Sequence, residues 1–111
     1  MIKLYGIKNC SSVKKGIDFL NSKGISFDFL DIKKISEEEL DFFLSKKSFD
    51  ALINTSGMSA KNLKINKEFI SNSSIDELKH IVLQNPSLIK RPVICIDNVV
   101  LVGKEYENFQ F

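Results

Sequence analysis

The sequence predicts an α/β fold: one mixed four-stranded sheet, made from a β-α-β unit and a β-β hairpin, with a helical insertion between the two halves. Three observations predict it. Near the N-terminus a short apolar run gives way to a helical period and then to a second short run. Toward the C-terminus, two apolar tetrads, Val93-Ile94-Cys95-Ile96 and Val99-Val100-Leu101-Val102, flank the turn pair Asp97-Asn98. Between these halves, over about residues 33–89, the punctuation is that of helix starts.

The elements follow in order. Ile2 to Tyr5 is strand one, closed by Gly6. After the loop Gly6-Ile7-Lys8-Asn9, the residues Val13, Ile17 and Leu20 recur at helical spacing, and Gly24 stops the helix. Ser11 or Ser12 supplies its N-cap, which sets Cys10 at or just before the first turn. Phe27 to Asp31 is strand two. Ser36 and Glu39 form a capping box for a helix with Leu40, Phe43 and Leu44 on one face. Phe49 to Ile53 and Ser59 to Leu63 are short helical pieces, separated by a polar loop containing Gly57. Ser74 and Glu77 make a second capping box, and Asn85-Pro86 ends the helix that carries Ile75, Leu78, Ile81 and Val82. Strands three and four are the hairpin, closed by Gly103 and followed by a short stub. A parallel β-α-β pair extended by an antiparallel hairpin is the layout of a thioredoxin-like fold.

Composition narrows the chemistry. The chain has 111 residues, the length of a single domain spanning 1–111. Its 43% apolar and 27% charged content is that of a soluble globular protein. No apolar run approaches the roughly 20 residues of a membrane helix, and the N-terminus has no secretory h-region, so a cytoplasmic protein is expected. A net charge of +2 argues against nucleic acid and membrane surfaces as partners. One histidine, His80, and two distant cysteines, Cys10 and Cys95, leave metal and Ser-His chemistry short of parts. Thiol chemistry remains.

Cys10 is the focal residue. At a helix N-terminus, outward N–H groups and the helix dipole favour a thiolate, and such cysteines titrate in the range of roughly 3.5 to 7.5. Lys8, Lys14 and Lys15 add to the field. The plain alternative is an inert cysteine that happens to precede a helix. Position 13 is valine, so there is no Cys-x-x-Cys, and Cys10 acts as a monothiol. Cys95, inside an apolar strand, reads as a small core residue, with a Cys10–Cys95 pairing as the minor option. Arg91 is the only arginine in the chain and precedes Pro92. Either a cis Pro92 sets Arg91 beside Cys10 to hold an anion or the thiolate, or Arg91 is a surface residue before a strand-starting proline. Lys61, placed at the start of a short helix, either joins an anion pocket or is simply solvated. His80 reads as a surface or partly packed residue.

Three ordered segments carry a resemblance. Tyr5-Gly6-Ile7-Lys8-Asn9-Cys10 with Val13-Lys14-Lys15, the segment Asn85-Pro86-Ser87-Leu88-Ile89-Lys90-Arg91-Pro92-Val93-Ile94, and Leu101-Val102-Gly103 together resemble the arsenate reductase (ArsC)/Spx/YffB family. The resemblance implies a thioredoxin-like fold with a helical insertion. It implies a nucleophilic cysteine at Cys10, regenerated by glutathione and glutaredoxin. Family arsenate reductases hold the oxyanion with three arginines. Arg91 matches one, Lys61 falls at about the second, and the third falls at about Gly103, with Lys104 next to it. A lysine loses the planar fork of arginine, which argues against arsenate reduction. The motif Gly6-Ile7-Lys8-Asn9-Cys10 is more similar to the YffB branch, and that resemblance implies glutathione-dependent thiol reduction. The implied site has Cys10 and Arg91 as the catalytic pair. Asn9, Ser11, Ser12, Lys61, Arg91, Pro92 and Lys104 surround the substrate or anion. No metal or resident cofactor is expected, and glutathione is the co-substrate. Two other readings come with the family: a true arsenate reductase, and an Spx-like regulator that binds the C-terminal domain of the RNA polymerase α-subunit. Val13 in place of a second cysteine, and an end soon after strand four, count against the Spx reading. A degenerate member that only binds a partner is a further option.

Overall fold

Short apolar runs become the strands of one sheet in the computed structural model, which describes residues 1–111. The chain divides into two units, one of Met1–Ile32 with Arg91–Phe111 and the other of Lys33–Lys90. No helix is long and apolar enough to cross a membrane.

The first unit holds β1 (Ile2–Gly6), α1 (Ser11–Ser22), β2 (Phe27–Asp31), β3 (Val93–Ile96) and β4 (Val99–Val102). The sheet order is β2-β1-β3-β4. β1 and β2 are parallel, while β1–β3 and β3–β4 are antiparallel. The register sets Phe29, Leu4, Ile94 and Leu101 in one row across the sheet. α1 packs on this row, because Val13 and Leu20 share one core with Leu4, Ile94, Leu101 and Tyr106. Each such side chain contributes about 1.5–3 kcal/mol by leaving water. Side chains alternate along a strand, so Cys95, paired with Lys3 and Val100, faces away from α1. The stub after β4 is ordered as a 3-10 turn, Gly103–Asn108. The Glu105 carboxylate accepts from the Val102 N–H at 2.7 Å, and Tyr106 meets Phe19 of α1 edge-on with centroids 5.0 Å apart.

The second unit is helical: α2 (Glu37–Lys46), α3 (Phe49–Leu52), α4 (Met58–Asn62), α5 (Lys67–Asn72) and α6 (Ile75–Gln84). Ser36 and Glu39 make the full reciprocal capping box. At Ser74 the serine half alone is seen, its hydroxyl accepting from the Glu77 N–H. Such caps are worth about 1 kcal/mol each. Lys79 of α6 reaches Asp41 at 2.8 Å and Glu37 at 3.0 Å, tying α6 to α2. The returning chain is stitched to the end of α3. Asn54 N–H donates to Leu88 O, and Lys90 N–H donates to Leu52 O, both at 2.8 Å. Leu40, Phe43, Leu52, Ile53, Val82 and Leu88 are fully buried.

Candidate active site

The site grows from the loop after β1. Gly6 ends that strand where the chain doubles back on α1, and a Cβ there would lie 2.6 Å from Val13 Cγ1. Asn9 has φ 65, a left-handed conformation that asparagine tolerates better than most residues. It aims the next residue at the helix. Neither Ser11 nor Ser12 is the N-cap. Both already belong to α1, and the N-cap is Cys10 itself, with φ −102 and ψ 121.

That correction explains the sulfur's chemistry. As a thiol, Cys10 makes no conventional cap hydrogen bond. Burial pushes its titration up, but the Val13 N–H, the Arg91 guanidinium by hydrogen bond and charge, and the Ser12 N–H together hold it below the ordinary thiol value. Ser12 and Val13 lie in the first turn of α1, where backbone N–H groups lack helical partners, so negative charge on the Cys10 sulfur is favoured there. Lys8, Lys14 and Lys15 are not among the causes; all three are exposed, and the lowering comes from amides and arginine.

Arg91 therefore stands beside Cys10. Its bond to Pro92 is cis. Pro92 is buried against α1, where a Cβ on Gly16 would lie 2.9 Å from Pro92 Cγ. The Pro92 carbonyl accepts from the Gly103 N–H at 2.9 Å, joining the start of β3 to the end of β4. Gly103 has φ +64, and Lys104 beside it is exposed. An arginine at 103 would be strained in that backbone.

Lys61 is not at a helix start. α4 begins at Met58, so Lys61 falls in its last turn, where its N–H is spent on Gly57 O. The anion-binding argument from a helix N-terminus does not apply to it. His80 is exposed on α6. Cys10 and Cys95 are both free, and Cys95 is buried on the face of the sheet away from α1.

A cleft of about 680 Å³ opens beside Cys10, lined by Ile7, Lys8, Asn9, Ser11, Val13, Lys14, Ile17 and Phe29 as well as the cysteine. Sequence pattern gives Ile7, Ile17 and Phe29 no site role, because each also fits an apolar element. Gly16 carries a usable signal: a glycine inside an apolar helical period marks close packing.

The ArsC family profile matches residues 5–110. The global transcriptional regulator Spx of Streptococcus pneumoniae is 32% identical over 98 residues, which cover 85% of this chain and 71% of that protein. Among solved structures, an arsenate reductase (ArsC) related protein from Brucella melitensis is 32% identical, with a TM-score of 0.75 over 97% of this chain and 92% of that one. The protein YffB is 28% identical, with a TM-score of 0.82 over 96% and 95% of the two chains.

Proposed function

The chain belongs to the ArsC family, and from that premise we propose that it is a glutathione-dependent monothiol oxidoreductase with Cys10 as nucleophile. The observation that carries this reading is the Cys10 environment: a sulfur at the N-cap of α1, favoured as thiolate by two amides and by Arg91. In the proposed cycle the Cys10 thiolate attacks one sulfur of a disulfide. A mixed disulfide forms on Cys10 and the other sulfur leaves as a thiolate, which takes a proton from water. Glutathione thiolate then attacks the substrate-derived sulfur of the mixed disulfide, restoring Cys10 and giving a substrate–glutathione disulfide. A second glutathione thiolate displaces the substrate thiol, so two glutathiones end as glutathione disulfide while the substrate disulfide is reduced. The need for an outside thiol follows from Val13 at the third position and from Cys95 on the opposite face. Arg91 stabilises the thiolate and Pro92 borders the incoming sulfur.

Arsenate reduction is the weaker reading, because this chain has a single arginine where the family's oxyanion pocket uses three. Identity to Spx supports a second reading, a regulator that binds RNA polymerase through its α-subunit. One experiment separates the three. The protein is treated with glutathione disulfide and each cysteine is mapped by mass spectrometry. Two further measurements run in parallel: arsenate turnover with glutathione and glutaredoxin, and binding to the C-terminal domain of the polymerase α-subunit. The expected result is glutathionylation at Cys10 alone, reversed by glutathione, with little arsenate turnover. Robust arsenate turnover contradicts the choice of substrate. Polymerase binding without any thiol exchange favours the regulator.

A further inference from the structure

A second property of the same site rests on the thiol reading above. In the row that α1 packs on, Leu4 and Ile94 are 0% exposed and Leu101 8%, yet Phe29 is 38% exposed. The apolar row of the sheet outruns the helix that covers it. Its uncovered end is Phe29 on the edge strand β2, and that end forms one wall of the cleft beside Cys10. Ile7, Val13 and Ile17 make the rest of the apolar lining. Lys8 and Lys14 also line the cleft, neither is paired with a carboxylate, and neither tunes Cys10. Their charge is available to a ligand.

A cleft of about 680 Å³ lies in the range that holds a drug-sized ligand. A tetrahedral oxyanion would fill little of it and bring nothing apolar to Phe29. Glutathione matches the lysines by charge but has no large apolar side chain. We propose that the cleft binds an extended peptide segment carrying the substrate disulfide, with a large apolar side chain against Phe29 and Ile17 and an acidic residue near Lys8 and Lys14. For a glutathionylated peptide the step balances as follows. Cys10 thiolate attacks the glutathione sulfur, the peptide–glutathione S–S bond breaks, and the peptide leaves as a thiolate that takes a proton from water. A second glutathione then displaces the first from Cys10, giving glutathione disulfide.

The test uses three probes: a short peptide with leucine before and glutamate after its glutathionylated cysteine, the same peptide with glycine and lysine there, and glutathione disulfide alone. The rate of glutathione transfer from each probe onto Cys10, read by mass spectrometry, is divided by the rate of the same transfer onto free cysteine. The wild type is expected to favour the first probe by about tenfold over the other two, the scale of a modest apolar contact. Phe29→Ala should remove most of that preference. Lys8→Gln combined with Lys14→Gln, both at exposed positions, should narrow it. Val99→Ala, at an equally exposed apolar residue on β4, should leave it intact. Equal normalised rates for the three probes, fastest reaction with glutathione disulfide, or a preference that survives both cleft variants overturns the peptide site while the thiol mechanism stands. Failure of Cys10 to react with any probe overturns both.

Discussion

Cys10 carries charge more readily than a free thiol because its surroundings are built for the charged form. Burial alone would raise its titration, and the Val13 and Ser12 amides with Arg91 outweigh it. A lowered folded-state value links charge to stability. The thiolate's contribution is fully present above the unfolded value of about 8.5 and is lost as pH falls through the folded value. Urea unfolding under reducing conditions should therefore show wild type gaining stability over Cys10→Ser as pH rises from the folded value to about 8.5. A gap that does not change with pH would mean that the sulfur has no such preference. Asn9 acts one step earlier, through the backbone. At φ 65 a β-branched residue is strained by roughly 1–2 kcal/mol. Asn9→Val should lower stability by about that much and slow Cys10 alkylation, whereas Asn9→Gly should be nearly neutral. Equal effects of the two substitutions would show that the left-handed backbone is not what matters.

At the scale of elements, two glycines set where α1 sits. Gly6 lets the β1 end lie against Val13, and Gly16 lets the helix lie against Pro92. Val13 is branched and 2% exposed, so it cannot swing aside for a methyl group at position 6. Gly6→Ala should cost about 1–3 kcal/mol by overpacking and move the start of α1 with the amides that face Cys10. Thermal unfolding and the alkylation midpoint of Cys10 should both respond, and adding Val13→Ala should recover part of the loss. Full additivity of the two changes would contradict a direct clash. The helical insertion shows what element-level signals convey. Ser36 and Ser74 announce α2 and α6, because a serine followed three residues later by glutamate has a specific meaning. α5 is not legible in the sequence. Its apolar residues Phe69 and Ile70 are adjacent and give no period, and its start rests on Asn66 accepting from the Phe69 N–H.

Across the whole chain, the mixed sheet can be read from four short apolar runs and their turns, since alternation and turn residues are local properties. The pairing of Cys10 with Arg91 is half legible. The proline and the lone arginine stand out, but two residues so far apart in sequence meet only through the sheet order β2-β1-β3-β4. The position of Cys10 as the N-cap residue is hidden, because Ser11 and Ser12 are better capping residues by type and the loop's left-handed Asn9 moves the boundary by one residue. The cleft is not legible at all. It exists because α1 leaves one end of an apolar row uncovered, which depends on how a helix lies across strands. The central proposal is that Cys10 is an activated monothiol, and its alkylation by iodoacetamide as a function of pH tests that most directly. Cys10 should label with a midpoint clearly below about 8.5, shifted upward in Arg91→Ala, while buried Cys95 stays unlabelled in the folded protein. A Cys10 midpoint at or above about 8.5, unmoved by loss of Arg91, would contradict the account.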